Sequence, residues 1–196
     1  MLIGITGQIG TGKSEVARLF EKHGAYVISA DQIGREVVEQ NRVVLKELVR
    51  AFGAEILTPG GKLRRRLLGE LAFATPAGKR RLDKIVHPRL LRKLGRQTSL
   101  ALKKHALVVV DAALLIDWNW DKKVQYTVLV HSRNEIKAAR LLKKGYSRAE
   151  IITRIRSQKG FIKLRKHADF IIHNNKSLDS LEVQVEKLIE KLKRNG

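Results

Sequence analysis

The chain has 196 residues, 43% of them hydrophobic, a size at which one hydrophobic core suffices, so one domain is favoured over two. It has no cysteine, which excludes disulfide bonds and thiolate metal sites, and it has neither a recognisable signal peptide nor an apolar segment near the roughly 20 residues of a membrane span, so we expect a soluble cytoplasmic protein without a membrane partner. The formal net charge of +21 attracts polyanions, but the basic residues are spread along the chain and aromatic residues make up only 5%, so we expect nucleic acid binding to be absent or nonspecific.

The apolar pattern predicts strands and helices that alternate along the chain. Strands are predicted at residues 2–6, 26–28, 107–110, 126–130 and 170–172, and helices at residues 14–23, 134–144, 147–158 and 178–193. The chain between Asp31 and Lys104 is mostly helical in pattern, with turns at residues 58–61 and 75–76. This order predicts an α/β fold, in which a parallel sheet carries helices on both faces and a helical insertion follows the second strand.

One motif decides the class of the protein. Residues 7–14 read GQIGTGKS and satisfy every fixed position of the Walker A pattern, between a predicted strand and a predicted helix. Glycines let such a loop turn its backbone N–H groups and the start of the helix toward phosphate. We therefore predict an ATP-binding loop, in which Lys13 reaches the β- and γ-phosphates and the Ser14 hydroxyl ligates Mg²⁺. The predicted nucleotide-binding residues are Gln8, Ile9, Gly10, Thr11, Gly12, Lys13, Ser14 and Glu15.

Walker A loops occur in GTPases, ATPase motors and small-molecule kinases, so the class of reaction needs further signals. Residues 31–34 fit the D-x-x-G pattern of GTPases but follow the loop too closely, directly after the second strand. The guanine signature N-K-x-D is absent, since Asn175-Lys176-Ser177 is followed by Leu178. The residues therefore favour a kinase of a small hydroxylated acceptor, with a nucleoside or nucleoside monophosphate kinase and a nucleic-acid-binding ATPase as alternatives.

Two aspartates lie just past the ends of predicted strands, where open α/β sheets bind their ligands. Asp31 could accept the proton of a substrate hydroxyl while the γ-phosphoryl group moves in line, or it could cap the helix that follows. Asp111 could hold Mg²⁺ through water, or it could also serve as a cap.

Separated segments of the chain carry a joint pattern. They are residues 6–14, 27–35, 61–73, 86–88, 110–117, 139–158 and 168–175. In this order they resemble the dephospho-coenzyme A kinase family, over the chain from Met1 to about Gln184. The chain departs from the family pattern where an aspartate, a proline, a glutamate, an arginine and a basic residue are usual. These positions are Ser29, Ala113, Asp117, Lys144 and Leu164, respectively.

The resemblance implies roles for individual residues. It implies that Asp31 is the general base, that Arg140 is a lid arginine acting on the transferring phosphoryl group, and that Arg65 and His87 contact the acceptor. The residues alone leave simpler alternatives open, since a lone helical arginine usually lies on a solvated face and His87 before Pro88 could mark a helix boundary.

The resemblance further implies transfer of the γ-phosphoryl group of ATP to the ribose 3′-hydroxyl of dephospho-coenzyme A, with Mg²⁺, as the last step of coenzyme A synthesis. We expect a single domain with a three-layer P-loop NTPase core at about residues 1–34, 104–134 and 166–196. A helical substrate-binding insertion is expected at about residues 35–103 and a small helical lid at about residues 135–165. The oligomeric state is left open by the sequence.

Overall fold

A computed structural model gives the structure of residues 1–194, so residues 195 and 196 of the last predicted core segment lie outside the described part of the chain. The strands are β1 (Leu2–Thr6), β2 (Tyr26–Ser29), β3 (Val108–Asp111), β4 (Tyr126–His131) and β5 (Phe170–His173). The α-helices are α1 (Lys13–Lys22), α2 (Ala30–Gln40), α3 (Arg42–Phe52), α4 (Arg65–Phe73), α5 (Pro76–Leu102), α6 (Asn134–Lys143), α7 (Arg148–Arg156), α8 (Phe161–Arg165) and α9 (Leu178–Arg194). The predicted strands and helices outside the insertion are confirmed within about two residues, while the short helix α8 was missed.

The strands form one parallel sheet with the order β2-β3-β1-β4-β5. Successive side chains of a strand point to opposite faces. In β4, Val128 and Val130 therefore pack with residues of α1 and α9, whereas Leu129 packs on the other face with Ile116 and Leu164. The predicted three-layer α/β architecture is confirmed.

Helix α1 is anchored to the hydrophobic core beside β1. Its residues Val16 and Phe20 are fully buried at helical spacing and pack against β1. Gly24 follows the helix with a φ of 87°, a left-handed conformation that stops a helix at little cost only in glycine. The predicted stop at Gly24 is confirmed, and the chain returns directly into β2.

Residues 30–97 form a compact unit of their own, built from α2, α3, α4 and most of α5. The predicted turn at residues 58–61 lies between Leu57 and Leu63, which pair as an antiparallel bridge. The predicted turn at residues 75–76 starts α5, where the Thr75 hydroxyl accepts the N–H of Gly78 at 3.0 Å. The remaining described chain, residues 1–29 and from Thr98 onward, forms the unit that contains the sheet.

The helices between β4 and β5, α6 to α8, are short and carry more basic than acidic residues. Helix α7 is closed at its start by a capping box, in which Ser147 and Glu150 exchange side-chain to backbone hydrogen bonds. Among residues 1–194, no helix combines the length and the apolar character that crossing a bilayer requires.

Candidate active site

The phosphate-binding loop connects β1 to α1, the strand–loop–helix context that the motif requires. Gly7, Gly10 and Gly12 have φ values of 149°, 80° and 89°, which residues with a Cβ atom rarely adopt. Close packing adds a second constraint, because a Cβ atom on Gly12 would collide with the side-chain amide of Asn174. The loop therefore has the glycines it needs to turn its N–H groups inward, and the exposed Ser14 stands in the first turn of α1.

The backbone of Gln8 organises the inside of this loop. Its carbonyl oxygen accepts the Thr11 hydroxyl at 2.8 Å, the Thr11 N–H at 3.3 Å and the Lys13 ammonium at 3.4 Å. Lys13 thus bends back over the loop. The last predicted nucleotide-binding residue, Glu15, receives two hydrogen bonds from Arg18, at 2.6 and 3.0 Å.

A buried lysine supports the loop from α6. Lys137 is 1% exposed, and its ammonium donates to the side-chain oxygen of Gln8. Burial lowers the pKa of Lys137 below its ordinary value, and only the nearby Glu135 acts in the opposite direction. A buried charge costs free energy unless it has hydrogen-bond partners, so the hydrogen bond to Gln8 lowers the cost of burying the Lys137 ammonium group.

Arg140 also supports the loop. Its guanidinium donates to the carbonyl oxygens of Gly10 and Thr11 at 3.4 and 3.2 Å and to the Ser132 hydroxyl at 3.1 Å. Its second terminal nitrogen donates to the backbone and side-chain oxygens of Asn174 at 3.2 and 3.0 Å. Burial lowers the pKa of Arg140 from its ordinary value. Protein atoms, not solvent, accept these hydrogen bonds of the Arg140 guanidinium. The alternative that Arg140 lies on a solvated helix face is therefore wrong.

Asn174 is a site residue to which sequence reasoning assigned no role. Its side-chain N–H donates to the carbonyl oxygen of Thr11 at 2.9 Å, and its backbone carbonyl oxygen accepts the Ser132 hydroxyl at 2.7 Å. The available signal was its place in the segment at residues 168–175, directly after the last strand. Two strand ends thus meet the loop, since Ser132 follows β4 and Asn174 follows β5.

Asp111 ends β3 at the same edge of the sheet. It lies in register with Ile5 of β1 and Ser29 of β2, and it is half-buried. Because parallel strands end at one edge, Asp111 and the hydroxyl of Ser14 both belong to the carboxyl edge beside the loop. Carboxylate and hydroxyl oxygens suit Mg²⁺, which is commonly held by one or two such groups and by water.

Asp31 is the second residue of α2 and is exposed. This position lies inside the first helical turn, so Ser29 or Ala30, not Asp31, stands where a cap of α2 would be. The simple capping alternative for Asp31 is therefore not supported by the helix boundaries. An acidic group in the first turn is still favourable for the helix dipole.

The two predicted acceptor-binding residues, Arg65 and His87, lie in the unit formed by residues 30–97. Arg65 begins α4 and forms an ion pair with Glu39. His87 lies 3.2 Å from Asp83, one helical turn earlier. The suggestion that His87 marks a helix boundary is wrong, because α5 continues through Pro88. A proline removes only one hydrogen bond of a helix, and a helix of this length retains many others.

The structure shows the surroundings of three departures from the family pattern, Leu164, Asp117 and Lys144. Leu164 is 3% exposed and packs into the core with Ile116 and Leu129, so a basic residue is not needed there. Asp117 forms an ion pair with Lys159 at 3.3 Å. Lys144 is exposed and ends α6, where a positive charge is favourable for the helix dipole.

Known proteins of one family match this chain over nearly its whole length. The family model of dephospho-CoA kinase matches residues 1–180. The dephospho-CoA kinase of Thermobifida fusca is 39% identical over 196 residues, covering 98% of this chain and 96% of the relative. The dephospho-CoA kinase of Corynebacterium glutamicum is 36% identical over 192 residues, covering 97% and 96%.

Solved structures show the same architecture. The crystal structure of TT1252 from Thermus thermophilus matches with a TM-score of 0.80 and 33% identity, over 98% of this chain and 97% of that chain. A dephospho-CoA kinase from Campylobacter jejuni matches with a TM-score of 0.67 and 24% identity, over 97% and 96%. At this lower identity the likeness shows the shared fold.

Proposed function

This chain belongs to the dephospho-CoA kinase family, and we propose that it transfers the γ-phosphoryl group of ATP to the ribose 3′-hydroxyl of dephospho-coenzyme A. One observation carries the proposal, namely the intact phosphate-binding loop within a family match that spans residues 1–180. This reaction completes coenzyme A synthesis. The compartment we propose is the cytoplasm, since a chain without cysteine needs no oxidising environment.

The loop and Lys13 bind the phosphates of ATP in this proposal. The inward N–H groups and the start of α1 favour negative charge, and the Lys13 ammonium moves from the Gln8 carbonyl to the β- and γ-phosphate oxygens. Most of the rate enhancement in phosphoryl transfer comes from such positioning and charge stabilisation. Arg140 contributes as a fixed positive charge behind the loop, where its contacts with Gly10 and Thr11 hold the loop in shape.

We propose that Ser14 and Asp111 hold Mg²⁺, the carboxylate acting through water. Their oxygen atoms fit the ion chemically, and both residues belong to the carboxyl edge of the sheet. When bound by these residues, the ion would supply positive charge that neutralises part of the negative charge of the phosphate groups.

Asp31 is our proposed general base. Its carboxylate is exposed at the start of α2, directly after β2, which leaves it accessible to a hydroxyl group. In this role it accepts the proton of the ribose 3′-hydroxyl while the hydroxyl oxygen bonds to the γ-phosphorus and the bond to the ADP oxygen breaks. Arg65 and His87 are proposed to contact the acceptor, with Arg65 exchanging Glu39 for an anionic group of the substrate.

A panel of acceptors with ATP labelled in the γ-phosphate tests the function. Dephospho-coenzyme A is expected to be labelled far more efficiently than nucleosides or nucleoside monophosphates. Preferred labelling of a nucleoside or nucleoside monophosphate would instead identify the alternative kinase class. ATP hydrolysis stimulated by DNA or RNA, without transfer to any acceptor, would identify a nucleic-acid-dependent ATPase.

A further inference from the structure

The side chain of Gln158 joins the lid to the phosphate-binding loop. Its Oε1 atom accepts the backbone N–H of Ile9 at 2.8 Å, in a partly buried contact. Ile9 is the third residue of the Walker A motif. The side-chain oxygen of Gln158, a residue of the lid, therefore accepts a backbone N–H group of the loop itself.

The chain after Gln158 is anchored to the core. Lys159 forms its ion pair with Asp117 at 3.3 Å. Five residues later, Leu164 packs among Ile116 and Leu129. These contacts fix the position from which Gln158 reaches the loop.

The chain before Gln158 is held far less tightly. Helix α7 ends at Arg156 and buries Ile151, while Arg148, Ile152 and Arg156 on the same helix are exposed. Segments with few buried apolar contacts open at low free energy. Gln158 thus stands at the junction between the anchored helix α8 and the exposed helix α7.

We propose that Gln158 is a positioning residue, a latch that ties the lid to the loop and thereby favours phosphoryl transfer to the acceptor over transfer to water. This inference rests on the proposed kinase function. A kinase must exclude water, because a water oxygen can also bond to the γ-phosphorus as the bond to the ADP oxygen breaks, releasing ADP, inorganic phosphate and a proton. With Gln158 bonded to Ile9, the α7 part of the lid stays at the loop; without this bond only α6 is held there, by Lys137 and Arg140, and the α7 part admits water.

The chain offers a matched control for this contact. Gln125 also accepts a backbone N–H through Oε1 at 2.8 Å, in a partly buried contact, but its donor is Leu2 at the start of β1. The start of β1 is the end of the strand opposite to the loop. Loss of this hydrogen bond has the same local chemistry as loss of the Gln158 contact, without any link to the lid.

The test compares Gln158→Met, Gln158→Glu and Gln125→Met in the full-length protein, with phosphate release and acceptor phosphorylation measured in the same reaction. In Gln158→Met the ratio of release to transfer is expected to rise about 2- to 12-fold, the factor for one net hydrogen bond. Gln158→Glu is expected to keep the ratio of release to transfer at the parent value, because a carboxylate oxygen accepts the same N–H. The negative charge of this variant is expected to raise the KM for ATP. Gln125→Met is expected to keep the parent ratio. An unchanged ratio in Gln158→Met, or an equal rise in Gln125→Met, overturns the latch.

Amide hydrogen exchange at Ile9 gives a second readout that needs no acceptor. Slow exchange in the parent protein, accelerated in Gln158→Met, is expected if the hydrogen bond persists in solution. Unprotected exchange at Ile9 in the parent overturns the latch even if the variants fail to fold. If the parent protein does not phosphorylate dephospho-coenzyme A, the proposed function fails, and the latch is still decided by exchange at Ile9 and by phosphate release from ATP.

Discussion

The guanidinium of Arg140 donates to the carbonyl oxygen of Thr11 at 3.2 Å, which links α6 to the phosphate-binding loop. Thr11 is 1% exposed, and its carbonyl oxygen also accepts from Asn174 at 2.9 Å. The carbonyl side of the loop is thus held by side chains from two later elements. Arg140 therefore has a structural function in the nucleotide-free protein, whatever it contributes to phosphoryl transfer.

Replacing Arg140 by lysine is expected to lower stability as well as activity. Lysine keeps the charge but cannot serve acceptors on several sides with one planar group. Loss of hydrogen bonds to a charged group costs about 1.5–3 kcal/mol, so the melting temperature is expected to fall by several degrees and the KM for ATP to rise. Calorimetry and steady-state kinetics measure both effects, with the exposed Arg194→Lys as control. An unchanged melting temperature would contradict the supporting role.

Lys13→Ala is expected to abolish phosphoryl transfer while the fold remains intact. The Lys13 ammonium donates to the Gln8 carbonyl oxygen of the loop, and in the proposed function it supplies the charge that meets the β- and γ-phosphates. Circular dichroism checks the fold, and transfer from labelled ATP checks the activity. Turnover at the parent rate would refute the assignment of the loop.

Asp31→Asn is expected to lower kcat by about 10²- to 10⁴-fold with little change in ATP affinity, since asparagine keeps the size of the side chain but cannot take a proton. Because Asp31 lies inside the first turn of α2, loss of a cap should not contribute. Single-turnover kinetics measure the chemical step. A rate above about half that of the parent, with chemistry shown to be slow, would remove Asp31 as the base.

The stability of the protein at alkaline pH should show the effect of burying Lys137. Because burial lowers its pKa in the folded state, the unfolded chain retains the proton to higher pH, with an ordinary value of about 10.4. The folded state is therefore penalised while Lys137 is charged, and this penalty fades as pH rises through the lowered pKa. Relative to Lys137→Met, the parent protein should gain stability between neutral pH and about pH 10. Denaturant titrations at several pH values test this, and a constant difference would contradict it.

Duplex DNA is expected to bind weakly, because the charge of +21 is not concentrated in one segment. Affinity should fall steeply with salt, as counterion release requires, and kinase turnover should not change. Fluorescence anisotropy at several salt concentrations measures the binding. Nanomolar affinity that resists salt would instead indicate a dedicated nucleic-acid site.

Local sequence patterns predicted the parts of this molecule that are local in the chain. The loop at residues 7–14 and its flanking strand and helix depend on neighbouring residues, so their pattern was sufficient. Helix α8 was missed because five residues carry almost no periodic signal. The course of α5 through Pro88 was left open by the sequence, because a proline can break a helix locally while tertiary packing can override it.

The supports of the loop were beyond such reasoning. Lys137 meets Gln8 and Arg140 meets Thr11 across more than half of the chain. Nothing in a helical pattern distinguishes these two cations from others on exposed faces, and only the fold brings them to the loop. The same holds for Gln158, whose partner Ile9 lies in another element.

The enclosed backbone of Thr11 has a consequence for the kinetics of nucleotide binding. A loop whose carbonyl groups are already satisfied by Arg140 and Asn174 does not have to order itself around an arriving nucleotide. Encounter then requires diffusion and orientation alone, so nucleotides that differ in affinity should associate at similar rates. Their residence times on the protein, set by dissociation, should carry the discrimination between them.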